Sequence, residues 1–124
     1  MKVKVVRRIG KAEFGSIALP TSHPGAVKYK RGKWSSAPQH CQERGYHLLV
    51  FDDLLLANRF VEDQFPEGSS VVFYCEVREI IKELPLMQGI FNYPFPGFHD
   101  MNNYFCWPKG TVMVKKVKLI KEIE

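Results

Sequence analysis

Long apolar runs and a disulfide framework are both missing from this sequence of 124 residues. No stretch approaches the roughly 18 apolar residues that a membrane-spanning helix needs, and the basic residues at the start precede no signal-peptide core. We therefore expect a cytoplasmic protein without a membrane partner. Hydrophobic residues make up 45% and charged residues 25%, as in globular chains, and the length predicts a single domain over residues 1–124.

The three cysteines, Cys41, Cys75 and Cys106, are odd in number and far apart. No two of them have the C-x-x-C spacing of a zinc or redox site. Among the four histidines, only His40-Cys41 and His99-Asp100 place two metal-ligating residue types side by side. Because neighbouring residues on a strand point to opposite faces, neither pair favours a chelate. The sequence predicts reduced structural thiols and no metal site.

Signature motifs of the common enzyme classes are absent as well. The chain contains no Gly-x-Ser-x-Gly elbow, no Gly-x-Gly-x-x-Gly loop and no phosphate-binding P-loop. Glu76 and Glu79 are close in sequence but lack an obvious carboxylate partner. These absences disfavour standard hydrolases, dehydrogenases and kinases, and they predict that no cofactor is bound.

A strand, a helix and a second strand follow one another in the middle of the chain. Residues 46–51 form a short apolar run, and Asp52-Asp53 supplies an N-cap for a helix over about residues 53–65. Residues 70–77 then alternate between apolar and other side chains, as a strand does. The two large side chains expected to be buried on these elements are Phe60 and Phe73.

Strands are also predicted near both ends of the chain. Residues 1–9 alternate Lys and Val, and residues 111–123 form a closing strand whose alternation slips near Lys115-Lys116, which predicts a bulge or twist there. Residues 36–44 are expected to be a polar connection, and residues 79–84 a short helical turn. The fold class predicted is α+β, with a twisted, mostly antiparallel sheet of about five or six strands and one main helix.

A basic segment with aromatic residues, 28–34, is predicted to form a short hairpin around Gly32. Cations interleaved with aromatic rings suit a phosphate backbone with stacked bases, or a nucleotide. The residues of this candidate site are Tyr29, Lys30, Arg31, Lys33 and Trp34. Alternatively, Tyr29 and Trp34 form a cross-strand pair that packs on the core while the charges are solvated. The net charge of +5 permits an anionic partner without requiring one.

Residues 85–109 combine four prolines with a high density of aromatic side chains. Burying one ring removes ~150–250 Å² from water, so one face of a small domain is not expected to cover all of them. We expect some of Phe91, Tyr93, Phe95 and Phe98 to stay exposed and to form an interaction patch. The segment 91–107 then mediates homo-oligomerisation or binds a protein partner. Alternatively, residues 85–109 are a structural cover.

The order of these motifs resembles that of a set of small uncharacterised prokaryotic and phage proteins. The resemblance is carried by residues 29–34, 45–60 and 72–77, and by Gly110-Thr111 before the closing strand. It covers most of the chain. Its motifs are structural and imply no known activity.

More remotely, the same order is similar to the ADP-ribosyltransferase-like fold, in which an early strand carries a His or Arg and a later Gly-hydrophobic strand leads into a helix. The matching positions are Arg7 or Arg8, and Tyr29 or Tyr46. The glutamate of that fold has no counterpart in residues 102–108. The resemblance therefore implies a degenerate enzyme that keeps a nucleotide pocket near His47 and Tyr104.

Two classes of function follow from these observations. The first is a non-catalytic binding module for a protein, nucleic-acid or nucleotide partner. The second is an ADP-ribosyltransferase-like or otherwise degenerate nucleotide-binding enzyme. Because catalytic motifs are absent and a basic aromatic segment is present, the sequence favours the binding module.

Overall fold

The computed structural model describes residues 2–17, 22–65, 68, 70–81, 84 and 109–123. Its strands are β1 (Lys2–Arg8), β2 (Glu13–Ser16), β3 (Lys28–Lys30), β4 (Trp34–Ser35), β5 (Leu48–Phe51), β6 (Ser70–Ile81) and β7 (Thr111–Ile123). Its helices are α1 (Gln39–Glu43) and α2 (Leu54–Gln64). The α+β class is confirmed and the strands pair antiparallel. The described residues hold seven strands, more than predicted, and α1 occupies part of the expected polar connection.

Four of these strands close into a small barrel. β1 pairs with β6, β6 with β7, and β7 with β5, and β5 returns to β1 through the pair Val3–Phe51. The β6–β7 ladder is long, running from Val72–Ile123 to Ile81–Met113. Since β5 is short, it fills one end of the gap between β1 and β7.

The strands β2, β3 and β4 lie at the other end of that gap. β2 pairs with β1, β3 with β2, and β4 with β7, so the predicted hairpin between β3 and β4 is wrong in its pairing. The connecting loop is fastened to β7: the Gly32 N–H donates to the Leu119 carbonyl (2.8 Å) and Arg31 Nε donates to the Ile120 carbonyl (2.9 Å). Gly32 has a φ of 80°, which glycine adopts without steric cost.

The interior of the barrel is mainly apolar. Phe73 of β6 is 1% exposed and meets Phe14 of β2 edge to face, with 4.9 Å between ring centroids. Inward-facing residues of β6 alternate as the sequence predicted, and the burial of Phe73 is confirmed. The buried cluster comprises Val6, Phe14, Tyr29, Ala37, Cys41, Tyr46, Leu48, Val50, Val71, Phe73, Cys75, Val114, Val117 and Leu119.

The longer helix, α2, packs on the outside of the barrel. Asp53 caps it by accepting a hydrogen bond from the Leu55 N–H (2.7 Å), which confirms the predicted N-cap. The apolar side of α2 packs with Val3 and Val5 of β1. Phe60 is only partly buried, contrary to prediction, because a helix lying on the outside of a barrel leaves the edge of its apolar stripe open to water.

Two local predictions about the ladder are corrected. Residues 79–81 continue β6 instead of forming a helical turn. The register shift lies between Tyr74 and Cys75, opposite Ile120, and not at Lys115-Lys116. At the predicted place the register continues unchanged, although Glu79, between the pairs Arg78–Lys116 and Ile80–Val114, has a φ of 57°. The extra residue of the register shift is Ile120 of β7, which lies between the partners of Tyr74 and Cys75.

We predict unequal losses of stability when alanine replaces the two phenylalanines. Phe73→Ala should lower the free energy of unfolding by about 3–5 kcal/mol, because it removes a fully buried ring and leaves a cavity. Phe60→Ala should cost about 1–2 kcal/mol, since its ring is already partly hydrated. Urea unfolding of both variants measures the difference. Equal losses would contradict the assignment of Phe73 to the interior.

Candidate functional site

The side chains of the predicted basic segment, residues 28–34, do not all face the same way: one points into the barrel and others point to solvent. Tyr29 points into the barrel and is 1% exposed, and burial raises the pKa of its hydroxyl well above the usual value. Lys30, Arg31 and Lys33 are exposed. Tyr29 is therefore a core residue, and its ring is not available to stack on a ligand. Its predicted pairing with Trp34 is wrong, because the two residues belong to strands with different partners.

Trp34 lies half-buried on the outer face of β4. It is the ladder partner of Lys118, which is in turn the partner of Glu76, so the three side chains form one row across the outside of the sheet. Arg78 Cζ is 4.3 Å and Lys118 Nζ is 5.0 Å from the centroid of the indole. Both distances are within the range of cation–π interactions. Lys118 also forms an ion pair with Glu76 (3.5 Å).

A second row lies beside the first and carries two like charges. Arg78 and Lys116 are direct partners in the β6–β7 ladder, and both are exposed. Like charges directly opposite each other destabilise a sheet. No carboxylate in the described part of the chain forms an ion pair with either of them, and the nearby Glu76 is paired with Lys118. Positive charge is therefore concentrated here without being neutralised.

These residues form one surface, which we call the Trp34 face. Its members are Lys30 at the end of β3, Arg31 and Lys33 of the β3–β4 loop, Trp34 of β4, Glu76 and Arg78 of β6, and Lys116 and Lys118 of β7. The sequence pointed to the loop residues and Trp34 as a binding site, but it did not join them to the cations of β6 and β7. A signal for two of them was present, because Lys116 and Lys118 alternate with the buried Val117 and Leu119.

His47 lies in a different environment. Its backbone N–H donates to Met113 Sδ (3.4 Å), and its Nδ1 is buried without a hydrogen-bond partner in the structure. Burial lowers the pKa of His47, Lys115 lowers it further, and Glu79 acts in the opposite direction. Besides burial, the charged groups that act on the pKa of His47 are Lys115 and Glu79, which are not part of the Trp34 face.

Several predicted residues lie outside the described part of the chain. They are Tyr104, the second member of the expected nucleotide pocket, and the proposed interaction patch of Phe91, Tyr93, Phe95 and Phe98. Their roles stay predictions. Cys106 is also outside this part, whereas Cys41 and Cys75 are free and buried, as the sequence predicted.

The residues matched to the ADP-ribosyltransferase-like fold have local partners. Arg7 donates to the Ile17 carbonyl (2.9 Å), and Arg8 forms an ion pair with Glu122 (3.1 Å). Tyr46 is buried, and its ring centroid is 5.9 Å from Arg44 Cζ. These contacts account for the placement of the three side chains within the fold.

A charged side chain that the sequence analysis did not single out lies inside the barrel. Lys4 is 7% exposed, and its Nζ donates to the Leu49 carbonyl (2.6 Å) and lies 5.2 Å from the centroid of the Tyr29 ring. Burial lowers the pKa of Lys4 to about 8, and nearby Cys75 partly opposes this shift. Burial also raises the pKa of the Cys75 thiol to about 11. Lys4 and Cys75 therefore perturb each other inside the core.

Comparisons of the chain with protein-family models, curated proteins and solved structures returned no match. Within the described residues, no group of three or more His, Cys, Asp or Glu side chains is arranged to hold a metal ion. Neither α1 nor α2 has the length and apolar character needed to cross a bilayer. Among the described residues, the Trp34 face is therefore the candidate binding site.

We predict that Lys4 makes the stability of the protein depend on pH. In the folded protein its pKa is about 8, against an ordinary value of 10.5, so between these values unfolding takes up a proton. Stability due to this group therefore rises with pH in that window. From pH 7 to pH 9 the native protein should gain about 1 kcal/mol relative to Lys4→Met.

Urea unfolding of both proteins at the two pH values measures this gain. Cys75 is present in both proteins, so most of the effect of its own titration cancels in the comparison. A difference in stability that stays constant with pH would show that Lys4 keeps an ordinary pKa in the folded state.

Proposed function

We propose that this protein is a non-catalytic binding module whose Trp34 face holds an anionic partner. The observation that carries the proposal is the direct opposition of Arg78 and Lys116 on exposed strands, beside an indole ring that already attracts cations. Their repulsion disfavours folding. A bound anion offsets that repulsion, so anion binding accounts for the placement of two cations opposite each other.

The loop part of the face is held in place before any partner arrives. The Gly32 N–H and Arg31 Nε hydrogen bonds tie the loop to β7, beside Lys118. Lys30 and Lys33 flank this anchored segment in the sequence. Binding to groups that are already ordered costs less conformational entropy, which favours affinity.

Two other places on the described surface carry cations beside acidic residues. The exposed side of α2 carries Arg59 together with Glu62 and Asp63, so its charges are of both signs. Arg8 is paired with Glu122. The overall charge of +5 attracts anions from a distance, and the opposed cations Arg78 and Lys116 favour binding at the Trp34 face.

Reversing three charges on the face should weaken binding more than reversing three elsewhere. The test variant combines Lys30→Glu, Lys33→Glu and Lys116→Glu. The control combines Lys11→Glu, Arg59→Glu and Lys109→Glu, which changes the net charge by the same amount at exposed positions. Heparin serves as a polyanionic probe. The test variant should bind heparin at least about tenfold more weakly than the control, with a shallower dependence on salt.

Equal binding by the two variants would mean that only the overall charge of the protein matters. Failure of the unmodified protein to bind heparin at low salt would remove the proposed function. Circular dichroism of both variants checks that they retain the native fold.

The repulsion within the face also predicts a gain in stability from a single change. Lys116→Glu replaces a like-charge pair with an attractive one, and it should raise the free energy of unfolding by about 0.5 kcal/mol at low salt. Lys11→Glu, in the exposed turn before β2, is the control and should have little effect. Thermal unfolding in low and high salt measures both. A loss of stability in Lys116→Glu would show that its charge is compensated in the native protein.

A further inference from the structure

We infer that the partner of the Trp34 face is single-stranded nucleic acid, with a base stacked on Trp34 and the adjoining phosphates held by Arg78, Lys116 and Lys118. This inference rests on the proposed function and adds the chemical class of the partner. It follows from the combination of an aromatic ring with a line of cations on one sheet surface. A polyanion without bases would use the cations alone.

The indole supplies the platform for a base. Trp34 is half-buried, so its ring is fixed by the sheet while part of it stays accessible. Base–aromatic stacking contributes roughly 1–3 kcal/mol per base and tolerates any sequence, because every base has a flat face. Arg78 and Lys118 now lie 4.3 and 5.0 Å from the ring centroid. When a base displaces Arg78 or Lys118 from the ring, the displaced cation lies beside the phosphate of the same nucleotide.

The cations lie in a line along which an extended nucleic-acid backbone can bind. Lys116 and Lys118 are alternate residues on the outer face of β7, about 7 Å apart along the strand. Arg78 lies beside Lys116 on the neighbouring strand, about 5 Å away across the ladder. The β3–β4 loop, which is anchored to Leu119 and Ile120 of β7, adds Arg31 and Lys33. The surface therefore presents several cations in sequence next to one stacking ring.

A duplex fits this surface less well than a single strand. Reading a duplex in its major groove requires a projecting helix or a two-stranded ribbon. Here α1 has five residues, and the exposed side of α2 carries acidic residues. The β6–β7 ladder does not project as a free ribbon, because β7 also pairs with β4 and β5, and β6 with β1. The bases of a duplex are also stacked on one another, so none is free to lie on Trp34. Sheets that carry exposed aromatic residues bind unpaired bases in this way.

An acidic peptide is the main competing partner. It neutralises Arg78 and Lys116 equally well by charge. It does not, however, provide a flat ring that gains from the indole, so Trp34 would contribute little to its binding. The two partners are therefore distinguished by how much of the affinity depends on Trp34.

The experiment uses the full chain with Trp107→Phe, which leaves Trp34 as the sole indole. Its fluorescence is titrated with a thymidylate strand about ten nucleotides long, an abasic strand of the same length, the corresponding duplex and a polyglutamate of equal charge. We expect the thymidylate strand to quench the fluorescence and to bind at least about tenfold more tightly than the other three probes. Anisotropy of a labelled thymidylate strand with the unmodified chain repeats the measurement without the Trp107 change.

Two variants then separate stacking from charge. Trp34→Leu should remove the preference for the thymidylate strand over the abasic strand and leave a salt-dependent affinity common to both. Trp34→Tyr should retain most of the preference, because it keeps a ring. Equal affinity of the unmodified chain for the thymidylate, abasic and polyglutamate probes would overturn this inference and leave the proposed function intact. Tighter binding of the duplex would also overturn it, and binding of none of the four would overturn both.

Discussion

The buried ammonium group of Lys4 connects β1 and β5 where the backbone pairing between these two strands ends. In the described residues, β1 and β5 are joined by the pair Val3–Phe51, and β5 then runs along β7 instead. The hydrogen bond from Lys4 Nζ to the Leu49 carbonyl crosses the opening between them. β5 leads directly into α2, the helix that covers Val3 and Val5 on the outside of the barrel. Lys4 therefore joins the barrel interior to the strand that precedes this outer cover.

The two sides of the β6–β7 ladder have different roles because α2 covers only part of the outside. Near Val72 and Tyr74 the outer face is packed against the helix. From Glu76 onward the outward-facing side chains of β6 are exposed, and there the Trp34 face begins. The inner face remains apolar along this stretch, with Val117 and Leu119 fully buried. One ladder therefore stabilises the fold on one side and presents charge on the other.

Features that depend on neighbouring residues could be predicted from the sequence. Examples are the Asp53 cap, the α2 stripe and the alternation that buries Phe73. Features that depend on the register between distant strands could not. Lys4 looks like an ordinary exposed lysine until closure of the barrel buries both faces of β1. The opposition of Arg78 and Lys116 likewise exists only because of how β6 and β7 align.

The last of the seven strands, β7, pairs with β4, β5 and β6 and also anchors the β3–β4 loop. Most of its partners are far away in sequence, and contacts of that kind form late and slowly during folding. A chain in which β7 has not yet docked has neither a closed barrel nor the assembled Trp34 face. The Trp34 face is therefore completed in the same step as the fold itself, because both depend on the docking of β7.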